Sequence, residues 1–261
     1  MTGRLIGVDR GLAQVVVIAS LLAAIVVVPW PLASWLAKAD WPGPGSLAHA
    51  VADALALDWR SGVVPGGAGS ALDGPTRFWQ VFHLVKALLS IGLLAAGIRA
   101  LMRSWTLSAA SGSAAGRLAR WVGSLAALAC AGVALLLTVA NLQGVIAPLT
   151  SVLGFLPDAG PSASTGAVAI RGALAGTPVP ASEAIVTDFA RYHLALAVIG
   201  MLAALAVAGL AVRAWLCHRT IECVVLGLAV ASIGVVVAAN IGTGLDPVPA
   251  LDAFLAGVPT R

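Results

Sequence analysis

The sequence predicts an all-α fold: a polytopic membrane helical bundle of five transmembrane helices, with its N-terminus inside and its C-terminus outside. Three observations lead there. Hydrophobic residues make up 60% of the 261 and charged residues only 10%, against roughly 45–50% and about 25% in soluble domains, so lipid has to be the solvent for much of the surface. Five stretches are each long and apolar enough to cross hydrocarbon, which takes about 20 helical residues. The charges between those stretches sort by sign onto two sides.

The first stretch, Leu12–Trp30, follows Arg4 and Arg10 and so has the outline of a secretory signal. Its apolar run exceeds the roughly 7–15 residues of a signal core, and it is expected to remain as an anchor. A segment rich in Pro, Gly and Ser, 31–77, separates it from the second span, Phe78–Leu101. A short basic segment, 102–120, leads to the third, Trp121–Ala140. A second Pro/Gly/Ser-rich segment, 141–188, leads to the fourth, Phe189–Val212, and the turn 213–220 joins that tightly to the fifth, Ile221–Ala239. The whole of 1–261 is expected to form a single membrane domain. Within the two long segments, Ser46–Asp58 and Gly166–Gly176 carry apolar residues at helical spacing and are expected to be short amphipathic helices on the outer membrane face or covering the bundle.

Direction follows from the tendency of Lys and Arg to stay on the cytoplasmic side. With the N-terminus inside, the inner segments hold Arg4, Arg10, Arg99, Arg103, Arg117, Arg120, Arg213 and Arg219 against only Asp9 and Glu222. The outer segments 31–77 and 141–188 and the C-terminal tail are acidic on balance, with Asp40, Asp53, Asp58, Asp73, Asp158, Glu183, Asp188, Asp246 and Asp252. Trp30, Trp35, Trp79, Trp105, Trp121 and Trp215 fall near span ends, where amphipathic rings prefer to sit. The formal charge of +4 is scattered at helix ends and never forms a run, which leaves no footprint for nucleic acid.

Spans two and three resemble spans four and five. Phe82-His83 is followed by Arg103 and Trp105, and Tyr192-His193 by Arg213 and Trp215, at the same intervals. Ala140-Asn141-Leu142 leads to Pro148 and Phe155-Leu156, and Ala239-Asn240-Ile241 to Pro247 and Phe254-Leu255, again without a gap. Asn141 and Asn240 are the only two asparagines of the chain, so chance is a poor account of both falling in one motif. Each matched pair runs the same way through the membrane, which makes this a parallel internal repeat and not the inverted kind on which many alternating-access transporters are built.

Candidate chemistry is sparse. His83 and His193 are expected at the same depth, and two facing imidazoles with small neighbours such as Gly92 and Gly200 are suited to a b-type haem; the plainer reading is a pair of hydrogen-bonded or lipid-facing rings near the interface. Five-helix haem-bearing anchors of respiratory enzymes offer an architectural comparison, yet a two-haem version needs four histidine ligands, and spans one, three and five contain none. Lys86, one turn below His83, is an intramembrane cation and hence a ligand-site candidate, unless its stem snorkels to the headgroups. With Asn141 and Asn240 it is expected to line a polar site for a lipid phosphate or another small anion. The plainer reading of both asparagines is a helix C-cap, since glycine and then proline follow. Cys217, His218, Glu222 and Cys223 crowd one turn, but their spacing fits no zinc pattern, so no metal site is expected.

Phosphate loops, HExxH, CxxC, GxSxG and dinucleotide fingerprints are all missing, and no catalytic residue is nominated. Abundant Ala, Gly, Val and Arg beside very few Lys, Asn and Tyr matches the coding bias of a high-GC bacterium. The expectation is a non-enzymatic, multi-pass protein of a bacterial inner membrane, an accessory or scaffold subunit of an envelope or respiratory complex whose partners are the bilayer and other proteins. The alternatives are a haem b electron-transfer subunit built on His83 and His193, and a lipid or small-anion binder or transporter built on Lys86.

Overall fold

In the computed structural model, which describes residues 2–106 and 114–258, the chain runs through α1 (Thr2–Val27), α2 (Pro29–Ala37), α3 (Pro44–Ser61), α4 (Asp73–Thr106), α5 (Ala114–Ile146) and α6 (Pro148–Leu153). A turn of 3-10 helix at Leu156–Ala159 follows, then α7 (Pro161–Ala175), α8 (Pro180–Leu216), α9 (Thr220–Leu245) and α10 (Pro247–Ala256). Proline sets where most of these begin: α2, α3, α6, α7, α8 and α10 all start on one, because its fixed φ suits a first turn and its missing N–H is no loss there. No strand occurs among the described residues. The inner segment expected at 102–120 lies partly outside them.

Among the described residues, four helices are long and apolar enough to cross a membrane: Asp73–Ser104 of α4, Trp121–Ile146 of α5, α8 and α9. Leu12–Val27 of α1 and α2 pass the same test together as a pair bent by 51° at the intervening break, which makes up to five spans. Large apolar side chains stand open along them, Leu228 at 64% and Val235 at 72% exposure on α9 for example. Hydrocarbon, not water, is the medium in which such surface is stable.

Residues 1–31 and 84–141 form one compact unit. Its centre is Ile25 of α1, Leu93 of α4 and Ala134 of α5, with Leu21, Leu89 and Leu137 packed around them. A Cβ at Gly97 would sit 3.1 Å from the backbone N and Cα of Ala131, so α4 and α5 meet there backbone to backbone, the contact that small residues permit between helices in lipid.

Residues 32–83 and 142–261 form the second unit. In it α8 and α9 make a helical hairpin, while α3, α7, α10 and the 3-10 turn pack as a cluster of non-spanning helices. Leu47, Val51 and Leu55 of α3, Ile170 of α7, Leu156, and Leu251 and Leu255 of α10 are fully buried. The amphipathic segments expected on the outer membrane face or covering the bundle are thus helices whose apolar sides are buried within the protein. Gly62, in the left-handed region at φ 67°, ends α3 and lets the N–H of Val63 reach the Asp58 carbonyl at 3.0 Å. The Asp58 side chain, 1% exposed, then accepts from the Ser70 hydroxyl at 2.6 Å and from the backbone N–H of Ala71 and Leu72 at 2.7 and 3.3 Å. These bonds offset the cost of burying the carboxylate and clamp the loop after α3. Arg171 of α7 and Asp252 of α10 pair at 2.7 Å on the surface of the same cluster.

Candidate functional site

The end of α5 and the short α6 are tied to α4 on one hand and to α8 on the other. From α4, Gln80 donates to the Val145 carbonyl at 2.9 Å and the Trp79 indole N–H to the Ser151 hydroxyl at 3.0 Å. Toward α8, Gln143 donates to the Tyr192 carbonyl at 3.1 Å, and the backbone N–H of Thr150 donates to Asp188 at 2.7 Å. That N–H is one of the open donors of α6's first turn, where a carboxylate is doubly favourable. Asp188 is 7% exposed, and the Arg191 guanidinium stands 3.6 Å away.

His83 belongs to this joint. Its Nε2 lies 3.0 Å from the Ser151 hydroxyl oxygen. Indole is a donor only, so Ser151 accepts from Trp79, and the same hydroxyl makes a second hydrogen bond with His83 Nε2. Trp79 stacks on Phe82 with centroids 4.5 Å apart and planes 8° from parallel, and meets His83 and Phe155 edge-on, each at 4.7 Å. Gly144 closes the other side: a Cβ there would fall 2.5 Å from the imidazole Cδ2. The ring is held by packing as well as by its hydrogen bond.

His193 is held differently. The Asn240 amide donates from Nδ2 to the Val236 carbonyl at 2.8 Å, which turns its Oδ1 to His193 Nδ1 at 2.7 Å. An amide oxygen only accepts, so Nδ1 carries the proton and the neutral ring keeps Nε2 as an acceptor. Phe189 packs against this imidazole with centroids 4.6 Å apart.

His193 and Asn240 are therefore brought together, while His83 meets Ser151 and Trp79. The C-cap reading of the two asparagines is corrected. α5 runs on to Ile146 and α9 to Leu245, and Asn141 and Asn240 sit inside these helices, donating to the Leu137 and Val236 carbonyls one turn back at 2.6 and 2.8 Å. Satisfied in this way, a mid-helix asparagine need not break the helix, and the prolines at 148 and 247 mark the following helix starts instead. Lys86 lies half-buried further along α4.

At the α8–α9 turn, Glu222 is 1% exposed with the Arg219 guanidinium 3.8 Å from its carboxylate. Among the described residues no group of three or more His, Cys, Asp or Glu side chains is placed to hold a metal ion.

The sequence reasoning missed Ser151, Gly144, Trp79 and Gln80 as parts of the joint. Ser151 and Gly144 are common residue types in a chain of this composition and carry no local signal. Trp79 and Gln80 precede His83 on one helix; Trp79 was legible only as a ring near a span end, and Gln80 carried no signal of its own.

The fold and the joint define an α-helical, multi-pass type of membrane protein. Comparison of the chain with known protein families, with curated proteins and with solved structures finds no match.

Proposed function

We propose that this chain is a non-enzymatic subunit of a larger bacterial envelope or respiratory assembly in the inner membrane, serving as an accessory or scaffold. The observation that carries the reading is where the polar side chains of the joint spend their bonds. Gln80 and Gln143 each donate to a backbone carbonyl, Asp188 accepts from a backbone N–H, and Ser151 is shared by Trp79 and His83; elsewhere Asn141 and Asn240 donate to carbonyls of their own helices. Catalytic side chains instead converge on a place where a substrate can sit. The open apolar faces of α8 and α9 support the reading further, since partner helices as well as lipid can cover them.

The orientation that goes with this proposal is N-terminus inside and C-terminus outside, supported by the sorting of charges. The parallel repeat of spans two and three in spans four and five is supported by the matched His, Arg, Trp and Asn positions. Extraction into native nanodiscs followed by mass photometry tests the subunit reading. A particle larger than this chain, with a partner in fixed ratio, is the expected outcome; a lone monomer overturns it. A reporter fused after Arg261 should be active outside the cytosol.

One observation favours a second reading, haem b binding. Asn240 orients His193 through Nδ1 and leaves Nε2 facing away as an acceptor, the arrangement of an iron ligand with its supporting partner. His83 differs, because Ser151 engages its Nε2. A Soret band in the purified protein that disappears in His193→Ala would support haem, and a spectrum without one ends this reading.

A further inference from the structure

The unit of residues 1–31 and 84–141 carries seven basic residues and a single acid, Asp9. Two of the bases, Arg99 and Arg103, line a groove of about 620 Å³ between α1 and α4 whose other walls are Ala13, Gln14, Val17 and Ala96. Arg99 and Arg103 are one helical turn apart, with Ala96 on the same stripe of α4, so both guanidinium groups overlook one space. Across it, the Gln14 side chain donates to the Ala96 carbonyl at 3.3 Å and ties α1 to α4.

We propose that this groove binds an anionic phospholipid, with the phosphate between Arg99 and Arg103 and the glycerol and first methylenes against Ala13, Val17 and Ala96. A guanidinium presents a planar fork of donors that matches two phosphate oxygens and is weakly hydrated, so it gives up water readily at a membrane surface. The apolar walls decide between a lipid and free phosphate: they gain from hydrocarbon and nothing from a hydrated ion. The excess of positive charge in the unit attracts an acidic headgroup over a zwitterionic one. The inference goes beyond the subunit reading, and the result below bears on lipid alone.

The test is native mass spectrometry of the full chain, released from nanodiscs containing phosphatidylglycerol and phosphatidylcholine in equal amounts. Wild-type protein should retain phosphatidylglycerol in preference. The pair Arg99→Gln and Arg103→Gln should lower that retention about thirtyfold. Lys86→Gln, which removes charge from the same unit outside the groove lining, should leave it unchanged; an equal loss per charge in that variant would reduce the effect to bulk charge and overturn the site. Inorganic phosphate in excess should fail to displace the lipid, and displacement would overturn the lipid assignment. Should the Arg99/Arg103 pair not fold, Ala13→Leu fills the groove from α1 with both arginines intact. Loss of the adduct in that variant supports the site, and undiminished retention sinks it.

Discussion

Each of the two units is held together internally, and by different means. In residues 32–83 and 142–261, directed hydrogen bonds do the joining: buried Asp58 on three donors, buried Asp188 on the Thr150 N–H, and half-buried His193 on Asn240. In residues 1–31 and 84–141 the joining is mostly steric, with Gly97 against Ala131, Leu21 against Gly92, and Ile25, Leu93 and Ala134 at the centre. The contrast teaches where each kind of glue works. Helices surrounded by lipid gain little from hiding apolar surface, so close approach of backbones matters most. Short non-spanning helices such as α3 and α7 do gain from it, and their loops can be pinned by a carboxylate whose bonds match those water would supply.

Removing one clamp from each unit should break the contrast in opposite ways. Asp58→Ala leaves the Ser70 hydroxyl and the Ala71 N–H without their acceptor and the Leu72 N–H with Ser70 Oγ alone, and should cost about 3 kcal/mol. Limited proteolysis should then cut between residues 62 and 72; an uncut loop and an unchanged melting temperature would show the clamp to be dispensable. In the other unit, Gly97→Leu forces a side chain into Ala131 backbone atoms 3.1 Å from its first carbon. Overpacking of this kind costs roughly 1–3 kcal/mol, read as a lower midpoint of unfolding in mixed micelles, while the proteolysis pattern of 62–72 stays as in the wild type.

Gly144→Ala sharpens the comparison at a smaller scale, because there a steric contact and a hydrogen bond coincide. The new methyl group would meet the His83 ring at 2.5–2.7 Å, pushing the imidazole off Ser151 at a cost of about 1–2 kcal/mol. Trp79 shares Ser151, so its fluorescence should shift; Gly97→Leu should leave that signal alone. An unshifted spectrum in Gly144→Ala would mean that the ring relocates without loosening the joint.

The smallest effect concerns pH. The hydrogen bond from Arg171, with its charge, holds the Asp252 carboxyl below the ordinary carboxylate range despite some opposing desolvation, and the same hydrogen bond and charge raise Arg171 further. A lowered carboxylate stabilises the fold above the value it has in the unfolded chain, and that stabilisation drains away as pH falls through the lowered value in the folded state. Both partners are solvent-exposed, so only a slight steepening of acid unfolding below about pH 4 is expected. Asp252→Asn should abolish it, and an identical acid limb in wild type and variant would show the pair to be inert.

What was legible from the residues follows from one-dimensional physics. Hydropathy summed along a helix decides membrane compatibility, so the all-helical character and the long apolar helices could be read directly, and the spacing in Ser46–Asp58 and Gly166–Gly176 marked what became α3 and α7. The asparagines were misread as helix ends because local rules rank Asn, Gly and Pro as terminators, whereas a carboxamide bonded to the carbonyl one turn back leaves the helix whole. His83 and His193 stood out by chemistry, but their partners did not.

Composition and spacing determined by themselves that this chain lives in lipid as a set of helices, since burial of apolar surface is additive along the chain. Only the tertiary structure decided that Ser151 faces His83, that Asn240 faces His193 and that Asp58 closes a loop, because hydrogen bonds are directional and join residues that chain order keeps far apart.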